Sequence, residues 1–179
     1  MTKSPVCQTI FEMLEQRGYK NIKFKDEKND IIVGDKGKKS IQVFITDIIK
    51  FNTEKTQEYI NIMQENNIYH SIIVYKKFVT TTAKKNINKL PLNDEVNIKI
   101  ELFCEDELIF NITKHRLQPT FKLLTQKENT DFKNKYGKKI PIMLTCDPIS
   151  KFYNYKPGDI IKIIKSNGYV SYRIVKLKI

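Results

Sequence analysis

The sequence lacks the long apolar runs that a membrane-spanning helix needs. None of its 179 residues belongs to a stretch approaching the roughly 20 apolar residues that such a helix requires, and no apolar signal segment follows Lys3. The three cysteines, Cys7, Cys104 and Cys146, are odd in number and far apart. The sequence therefore predicts neither a membrane protein nor a disulfide-stabilised scaffold, and it favours a reducing compartment.

Residue patterns that carry catalysis are also scarce. The two histidines, His70 and His115, have no Ser, Cys or Asp at a spacing that indicates a triad. The loop 34–40 has the wrong spacing for a phosphate loop, so we predict a hairpin turn there. The triplet Asp26-Glu27-Lys28 is of the kind that metal-dependent nucleases use, but few further carboxylates lie near it. We expect no catalytic residue, no metal site and no cofactor.

Acidic residues are rare in the last third of the chain. The net charge is +12; residues 1–110 carry 17 basic against 16 acidic side chains, whereas residues 111–179 carry 15 against 4. A basic surface attracts polyanions, so nucleic acid is the default partner. The plainer alternative is that many lysines are solvated spacers in a sequence rich in Lys, Asn and Ile.

Apolar residues make up 40% of the chain, which is enough for one large or two small cores. In the first part of the chain, helix and strand patterns alternate. Helices are predicted from Ser4-Pro5 to Gly18, over 53–66 and over 82–90, and strands over 31–33, 41–45, 71–75 and 97–103. This alternation predicts an α/β domain with a layered, mixed sheet and helices.

The last forty residues contain many residues that restrict the backbone. Asp147-Pro148 begins a short helix there, and just upstream Thr125 to Glu128 form a capping box for a helix that ends at Gly137. After a turn at Pro157-Gly158, strands over 160–165 and 169–175 meet at Asn167-Gly168, for which a type I′ turn is predicted. The pattern predicts a small α+β domain that ends in a hairpin.

The order of these motifs resembles the C-terminal assembly domain of the fifth subunit shared by the eukaryotic nuclear RNA polymerases, a domain that the archaeal polymerases also have. The residues that carry the resemblance are Pro141, Asp147-Pro148, Pro157-Gly158-Asp159, Lys162-Ile163, Lys165-Ser166, Gly168 and 172–175, with 107–113, His115, Leu117 and Pro119 upstream. Together these motifs are specific to that family.

The N-terminal part is similar, more weakly, to the jaw domain of the eukaryotic form. The matching residues are Arg17-Gly18-Tyr19, 63–66, 71–74 and 80–84. The family usually has Pro where Thr81 stands and Arg where Lys165 stands, and it has a His near Thr120-Phe121. The resemblance implies two domains, a jaw-like α/β domain over 1–104 and a C-terminal assembly domain over 105–179.

The resemblance implies a non-catalytic structural subunit of a multisubunit DNA-dependent RNA polymerase. Its assembly domain would dock on the largest subunit and its jaw domain would lie beside downstream DNA, with no small-molecule substrate. The Lys, Asn and Ile bias suggests an AT-rich genome, which suits a divergent eukaryote or a large DNA virus. The nucleus is the expected location, and a viral factory or virion is the alternative.

The resemblance and the exposure expected of the hairpin also give candidate residues. The expected subunit-interface residues are His115, Pro119, Pro141, Asp147, Pro148, Gly158, Lys165, Tyr172 and Arg173. The expected DNA-proximal residues are Lys76, Lys77, Thr82, Lys84 and Lys85. The alternative function is a free-standing basic nucleic-acid-binding protein or a degraded nuclease.

Overall fold

The computed structural model describes residues 4–26, 31–93, 98–137 and 139–177. The chain forms two compact units, Met1–Phe110 and Asn111–Ile179. The predicted boundary at 104/105 falls before the 3-10 turn Glu105–Leu108. Because this turn contacts the first helix and Leu108 is fully buried, the turn belongs to the first unit.

The first unit is a mixed five-stranded sheet with helices. Its elements are α1 (Pro5–Gln16), β1 (Lys20–Asp26), β2 (Ile31–Lys36), β3 (Lys39–Ile45), β4 (Lys50–Phe51), α2 (Thr53–Glu65), β5 (His70–Tyr75), β6 (Phe78–Val79), α3 (Thr81–Asn93) and β7 (Lys99–Cys104). The strand order is β1-β2-β3-β5-β7, while β4 and β6 form a separate parallel pair. Strands β1 to β3 are antiparallel neighbours, and β3, β5 and β7 run parallel. The predicted α/β class is confirmed.

Helix α1 begins and ends where the sequence predicts. Ser4 caps it, since the Cys7 backbone N–H donates to the Ser4 hydroxyl over 3.3 Å, and Pro5 takes the first position. Gly18 follows its end with φ +83°, a conformation that favours glycine. The buried face includes Ile10 and Met13, which fixes the helix against the unit's interior.

One core of the first unit is built on aromatic stacking. The Tyr59 ring of α2 stacks on Phe44 of β3 with centroids 4.3 Å apart, and it lies 5.9 Å from the Phe51 ring of β4. Both phenylalanines are buried, and Ile60 and Met63 extend the same cluster along α2. This core holds β4, and with it the start of α3, in place.

The second unit is a four-stranded sheet with two helices. Its elements are β8 (Thr120–Leu123), α4 (Gln126–Tyr136), β9 (Ile142–Leu144), α5 (Pro148–Tyr153), β10 (Ile160–Ile164) and β11 (Val170–Lys176), in strand order β8-β10-β11-β9. Strand β10 pairs antiparallel with β8 and β11, and β9 runs parallel to β11. Its core consists of Met143, Ile149, Tyr155, Ile161, Ile163 and Val175.

Several predicted details of the elements are wrong. Helix α3 is longer than the predicted 82–90, and strands β1, β4, β6, β8 and β9 were not predicted. The hairpin turn is not type I′, because Gly168 has φ +80° while Asn167 does not have a positive φ. Instead, the Gly168 N–H donates to the Lys165 carbonyl over 2.9 Å, and the Lys165 N–H donates to the Tyr169 carbonyl over the same distance.

No helix in the described ranges combines the length and the apolar character that crossing a bilayer would demand.

Candidate interaction surfaces

Asp147 and Pro148 shape the start of α5. The Ile149 N–H donates to the Asp147 carboxylate over 2.9 Å, and Pro148 occupies the first helical position. Helix α5 buries Ile149 and Phe152. Pro148 is exposed and Asp147 is half-buried. The structure therefore gives Asp147 a capping role within the fold, and it leaves Pro148 accessible to a partner.

Pro141 and Gly158 fix the backbone around β11. The Ile174 N–H donates to the Pro141 carbonyl, and the Gly158 N–H donates to the Val175 carbonyl, each over 2.9 Å. Gly158 has φ +95°, so a side chain at this turn would strain the backbone. Both residues are exposed and lie next to the same end of β11.

Tyr172 and Arg173 point to opposite faces of the second sheet. The Tyr172 ring packs on the Phe132 ring of α4 with centroids 4.3 Å apart, and Tyr172 is half-buried. Arg173 is exposed, and its Nη1 donates to the Ile142 carbonyl over 3.3 Å. The guanidinium thus lies at the β9–β11 edge, with donors left for a partner.

The other expected interface residues lie elsewhere in the unit. His115 is exposed in the segment before β8, where its Nδ1 accepts from the Leu117 N–H over 3.3 Å. Pro119 is half-buried and directly precedes β8. Lys165 lies at the hairpin turn, with its ammonium 5.3 Å from the centre of the Tyr169 ring. Because β8 and β9 are opposite edges of the sheet, the nine residues do not form one patch.

An apolar surface that the sequence reasoning missed lies beside β11. We define the β9–β11 face as Ile142, Leu144, Val170 and Ile174. The register pairs Ile142 with Ile174, and the alternation of strands places all four side chains on one side of the sheet. Ile142 is 48% exposed, Leu144 39% and Val170 38%. The alternation of Ile142 and Leu144 about buried Met143 is a strand signal too short to be read with certainty from sequence.

The expected DNA-proximal residues cluster around the start of α3. Lys77 is exposed in the β5–β6 connection, and Thr82, Lys84 and Lys85 are exposed in the first turns of α3. Lys76 differs from these, since its ammonium lies 3.2 Å from the Asp47 carboxylate and 4.0 Å from that of Glu105. Lys76 is therefore partly neutralised by its own chain.

Thr80 and Thr81 set the geometry of that helix start. The Ala83 N–H donates to the Thr80 hydroxyl over 3.2 Å, and the Lys84 N–H donates to the Thr80 carbonyl over 3.0 Å. Thr80 is thus the capping residue, and Thr81 is the first residue of α3. The family's proline falls on the first helical position, where proline is favoured. Thr81 and proline suit the same backbone.

The first unit contains a buried ionic network. Arg17 donates to both carboxylate oxygens of Glu101, with Nη1 3.2 Å from Oε1 and Nη2 2.9 Å from Oε2. His70 Nε2 lies 2.6 Å from Oε1 of the same carboxylate, and His70 Nδ1 lies 3.2 Å from the Tyr19 hydroxyl. Burial acts to raise the pKa of Glu101, but Arg17 and His70 outweigh it and lower that pKa to about 2.

Comparisons with known proteins identify the family. The family described as "RNA polymerase Rpb5, C-terminal domain" matches residues 110–175, which are nearly the whole second unit. A protein of Invertebrate iridescent virus 6 named as a DNA-directed RNA polymerase subunit, 454R, is 36% identical over 94% of this chain and 97% of its own length. The chain belongs to the Rpb5 family of DNA-directed RNA polymerase subunits.

Cellular members of the Rpb5 family are similar as well. The rpabc1 subunit of DNA-directed RNA polymerases I, II, and III of Dictyostelium discoideum is 32% identical over 75% of this chain and 71% of its own length. Subunit 5B of DNA-directed RNA polymerases IV and V of Arabidopsis thaliana is 29% identical over 79% of this chain and 65% of its own. The predicted family is confirmed, with both viral and cellular relatives.

Membership in the Rpb5 family confirms the predicted function as a polymerase subunit, and the alternative of a free-standing binder or degraded nuclease is not supported. The nuclease-like triplet 26–28 falls largely outside the described residues. Among the residues that the structure does describe, no group of three or more His, Cys, Asp or Glu side chains could hold a metal ion.

Proposed function

We propose that this chain is a non-catalytic, structural subunit whose second unit docks on the largest subunit of its polymerase. The observation that carries this proposal is the β9–β11 face, an apolar strip on the unit that matches the Rpb5 C-terminal domain. Apolar side chains in one exposed strip mark interaction surfaces. Their burial on docking would contribute about 25 cal/mol per Å² of apolar area.

The edge of the sheet beside this face supplies polar groups for orientation, with the Arg173 side chain on the opposite side of β11 from Val170 and Ile174. Arg173 is held at the β9–β11 edge by the Ile142 carbonyl, and Pro141 and Gly158 are exposed close to the same strand. A guanidinium can pair with a carboxylate or a carbonyl of a partner through a planar fork of donors. The second unit is also strongly basic, which suits an acidic partner surface.

We propose that the first unit forms part of the jaw beside downstream DNA. Lys77, Lys84 and Lys85 are exposed cations near the start of α3, and Thr82 adds a hydroxyl. Such groups hold phosphates without reading the base sequence. Lys76, paired with Asp47 and Glu105, contributes less.

We propose the nucleus as the place of action for a cellular source, and a viral factory or virion for a viral one. The relatives named as subunits of DNA-directed RNA polymerases I, II, and III support the first assignment. The viral relative supports the second.

The docking proposal is tested by charge reversal at the sheet edge. Arg173→Glu should reduce incorporation into the polymerase on the order of tenfold, because reversing the charge of an interface arginine costs more than about 1 kcal/mol. Its exposed position leaves the isolated chain folded. Incorporation is measured as the tagged chain recovered with the largest subunit, and folding by circular dichroism. Lys127→Glu on exposed α4 is the matched charge control. Incorporation of Arg173→Glu at the control level would show that this edge is not the docking surface.

The apolar strip needs its own variant. The double substitution Ile142→Ser and Leu144→Ser should weaken incorporation at least as strongly, because it removes exposed apolar area that the interface would bury. Buried Met143, between them, stays intact and keeps β9 in the core. Full incorporation of the folded double variant would place the docking surface elsewhere on the second unit.

A further inference from the structure

The turn between β10 and β11 contains the only Asn-Gly pair of the sequence, Asn167-Gly168. Both residues are exposed, and Gly168 has φ +80°. A Cβ added at Gly168 would have no heavy atom of the described residues within 4 Å, its two chain neighbours left aside. The Asn167 carboxamide is therefore exposed to water, and the residue that follows it has no side chain to shield its backbone nitrogen.

Hydrogen bonds engage both reactive groups of this pair. The Gly168 N–H donates to the Lys165 carbonyl over 2.9 Å, and the Tyr169 N–H donates to Asn167 Oδ1 over 3.1 Å. The Lys165 N–H, which donates to the Tyr169 carbonyl over 2.9 Å, closes the loop. These contacts are typical of a three-residue hairpin loop that ends in a glycine with positive φ. The folded turn thus holds the Gly168 nitrogen and the Asn167 carboxamide in separate hydrogen bonds.

An asparagine followed by glycine can react with its own backbone. The Gly168 nitrogen attacks Cγ of the Asn167 carboxamide, and the new N–C bond closes a five-membered cyclic imide. The Cγ–Nδ2 bond breaks, and the side-chain nitrogen leaves as ammonia with the proton that the Gly168 nitrogen gives up. Water then opens the imide at either carbonyl, which yields aspartate or isoaspartate. The reaction consumes only water and needs no enzyme.

We propose that Asn167 is a site of spontaneous deamidation whose rate is controlled by the folded hairpin, and that the isoaspartate product impairs docking of the second unit. For the attack, the Gly168 nitrogen must leave the Lys165 carbonyl and the Asn167 carboxamide must leave the Tyr169 N–H. Both contacts break when the turn opens locally. The hairpin therefore slows the reaction, and a chain that is unfolded or only partly folded ages faster.

The effect on docking follows from the length of the loop, and it rests on the proposed docking function. Isoaspartate adds one carbon to the main chain inside the loop that sets the pairing of Ile164 with Val170. Val170 belongs to the β9–β11 face, and Arg173 follows on the same strand. The aspartate product keeps the main-chain length and an acceptor oxygen for the Tyr169 N–H. Only the isoaspartate product should therefore disturb the docking surface.

The experiment follows both products at Asn167 by peptide mapping and mass spectrometry while the full chain is incubated, folded in buffer or unfolded in urea. Deamidation at Asn167 should be about tenfold slower in the folded chain, because the hydrogen bonds of the turn must first open. It should be faster at mildly alkaline than at neutral pH, since the Gly168 nitrogen has to lose its proton.

Asn67 is the matched control within the same chain. It is exposed in the turn after α2, but the branched side chain of Ile68 follows it and hinders the attack, so Asn67 should stay intact over the same period. Asn167→Gln should accumulate no product, because its side chain would have to close a six-membered ring. Incorporation is then compared for the aged chain, for freshly prepared Asn167→Asp and for Arg173→Glu. Isoaspartate should be several-fold less abundant in the chain recovered with the polymerase than in the chain left free, whereas Asn167→Asp should be incorporated normally.

The outcomes separate this inference from the function on which it rests. An intact Asn167 in both the folded and the unfolded chain would overturn the site, and equal rates in the two would overturn its control by the hairpin. If isoaspartate enters the polymerase freely while Arg173→Glu is excluded, the docking function stands and the effect of isoaspartate on it is wrong. Exclusion of Asn167→Asp would assign the effect to charge and overturn the role of loop length. If the aged chain and Arg173→Glu are both fully incorporated, the docking proposal fails as well, whatever the measured rates.

Discussion

At the residue scale, the Glu101 carboxylate of the first unit is held by three contacts at once. The carboxylate is nearly excluded from solvent yet remains charged, because Arg17 donates two hydrogen bonds to it and His70 makes a third contact. The sequence could not predict this network. Arg17 and His70 are 53 positions apart and Glu101 another 31, so only the folded sheet brings them together. Part of the resemblance to the jaw domain, Arg17-Gly18-Tyr19, therefore has a structural explanation.

Glu101→Gln should lower the free energy of unfolding at pH 7 by about 3 kcal/mol, because it leaves the buried Arg17 charge unpaired. The pKa of Glu101 lies below its unfolded value, so its stabilisation is complete above about pH 4.5 and is lost as the pH falls toward about 2. Urea unfolding of the unmodified chain and of Glu101→Gln at several pH values between 7 and 3 measures this loss. The difference between their free energies of unfolding should narrow below pH 4.5.

Glu15→Gln is the matched control for that experiment, since Glu15 is exposed on α1 and its removal should change stability by less than about 0.5 kcal/mol. A pH-independent difference between the unmodified chain and Glu101→Gln would contradict the role assigned to the carboxylate.

The position of Thr81 gives a second residue-scale prediction. Because it is the first residue of α3, Thr81→Pro should be neutral or should stabilise the chain by up to about 1 kcal/mol. Thr82→Pro, one position further into the helix, serves as the comparison. Thermal unfolding reports both. A melting temperature several degrees lower for Thr81→Pro would mean that α3 starts differently.

At the scale of elements, local capping motifs in the sequence predicted the helix starts. They did not predict the pairing between strands that are distant in sequence. Ser4-Pro5, Thr125 with Glu128, and Asp147-Pro148 each mark a helix start through contacts within three residues. Strands β4, β6 and β9 have two or three residues each, too few to show a period. Half of the β9–β11 face, Ile142 and Leu144, lies on one of these short strands, so the sequence identified the candidate surface only in part.

Substitutions of Asp147 can separate its role in capping α5 from a role in the subunit interface. Asp147→Ala should lower stability by about 1 kcal/mol, because α5 loses its capping acceptor, whereas Asp147→Asn keeps an acceptor oxygen and should change it little. Denaturant unfolding gives both values. If Asp147→Asn folds normally but is not incorporated into the polymerase, Asp147 also makes an interface contact through its charge. Equal stability of all three proteins would exclude the capping role.

A buried polar pair lies at the centre of the first sheet. Gln42 of β3 is paired with Ser71 of β5; both are fully buried, and their side-chain polar atoms have no hydrogen-bond partner among the described residues. Because an unsatisfied buried amide costs about 1–3 kcal/mol, Gln42→Met, close in volume, should raise stability by about 1 kcal/mol. Urea unfolding measures the change. A clear loss of stability would indicate an internal water bound to the amide.

At the scale of the whole molecule, charge and exposed apolar side chains are distributed unevenly between the two units. The first unit has nearly balanced charge and has Lys77, Lys84 and Lys85 exposed around the start of α3. The second unit carries most of the net positive charge and the β9–β11 face. This division is consistent with the two proposed roles, docking by the second unit and DNA contact by the first. The sequence predicted the family and the charge asymmetry, because the order of the motifs and the positions of the charged residues can both be read without the fold.

The central claim is that this chain acts only as part of a polymerase assembly. The most direct measurement is native purification of a tagged chain from the cells, or infected cells, in which its polymerase is made, with the bound chains identified by mass spectrometry. The account predicts a large complex that contains the two largest polymerase subunits in equal amounts with the tagged chain. Recovery of the folded chain by itself, at the size of a single polypeptide, would contradict it.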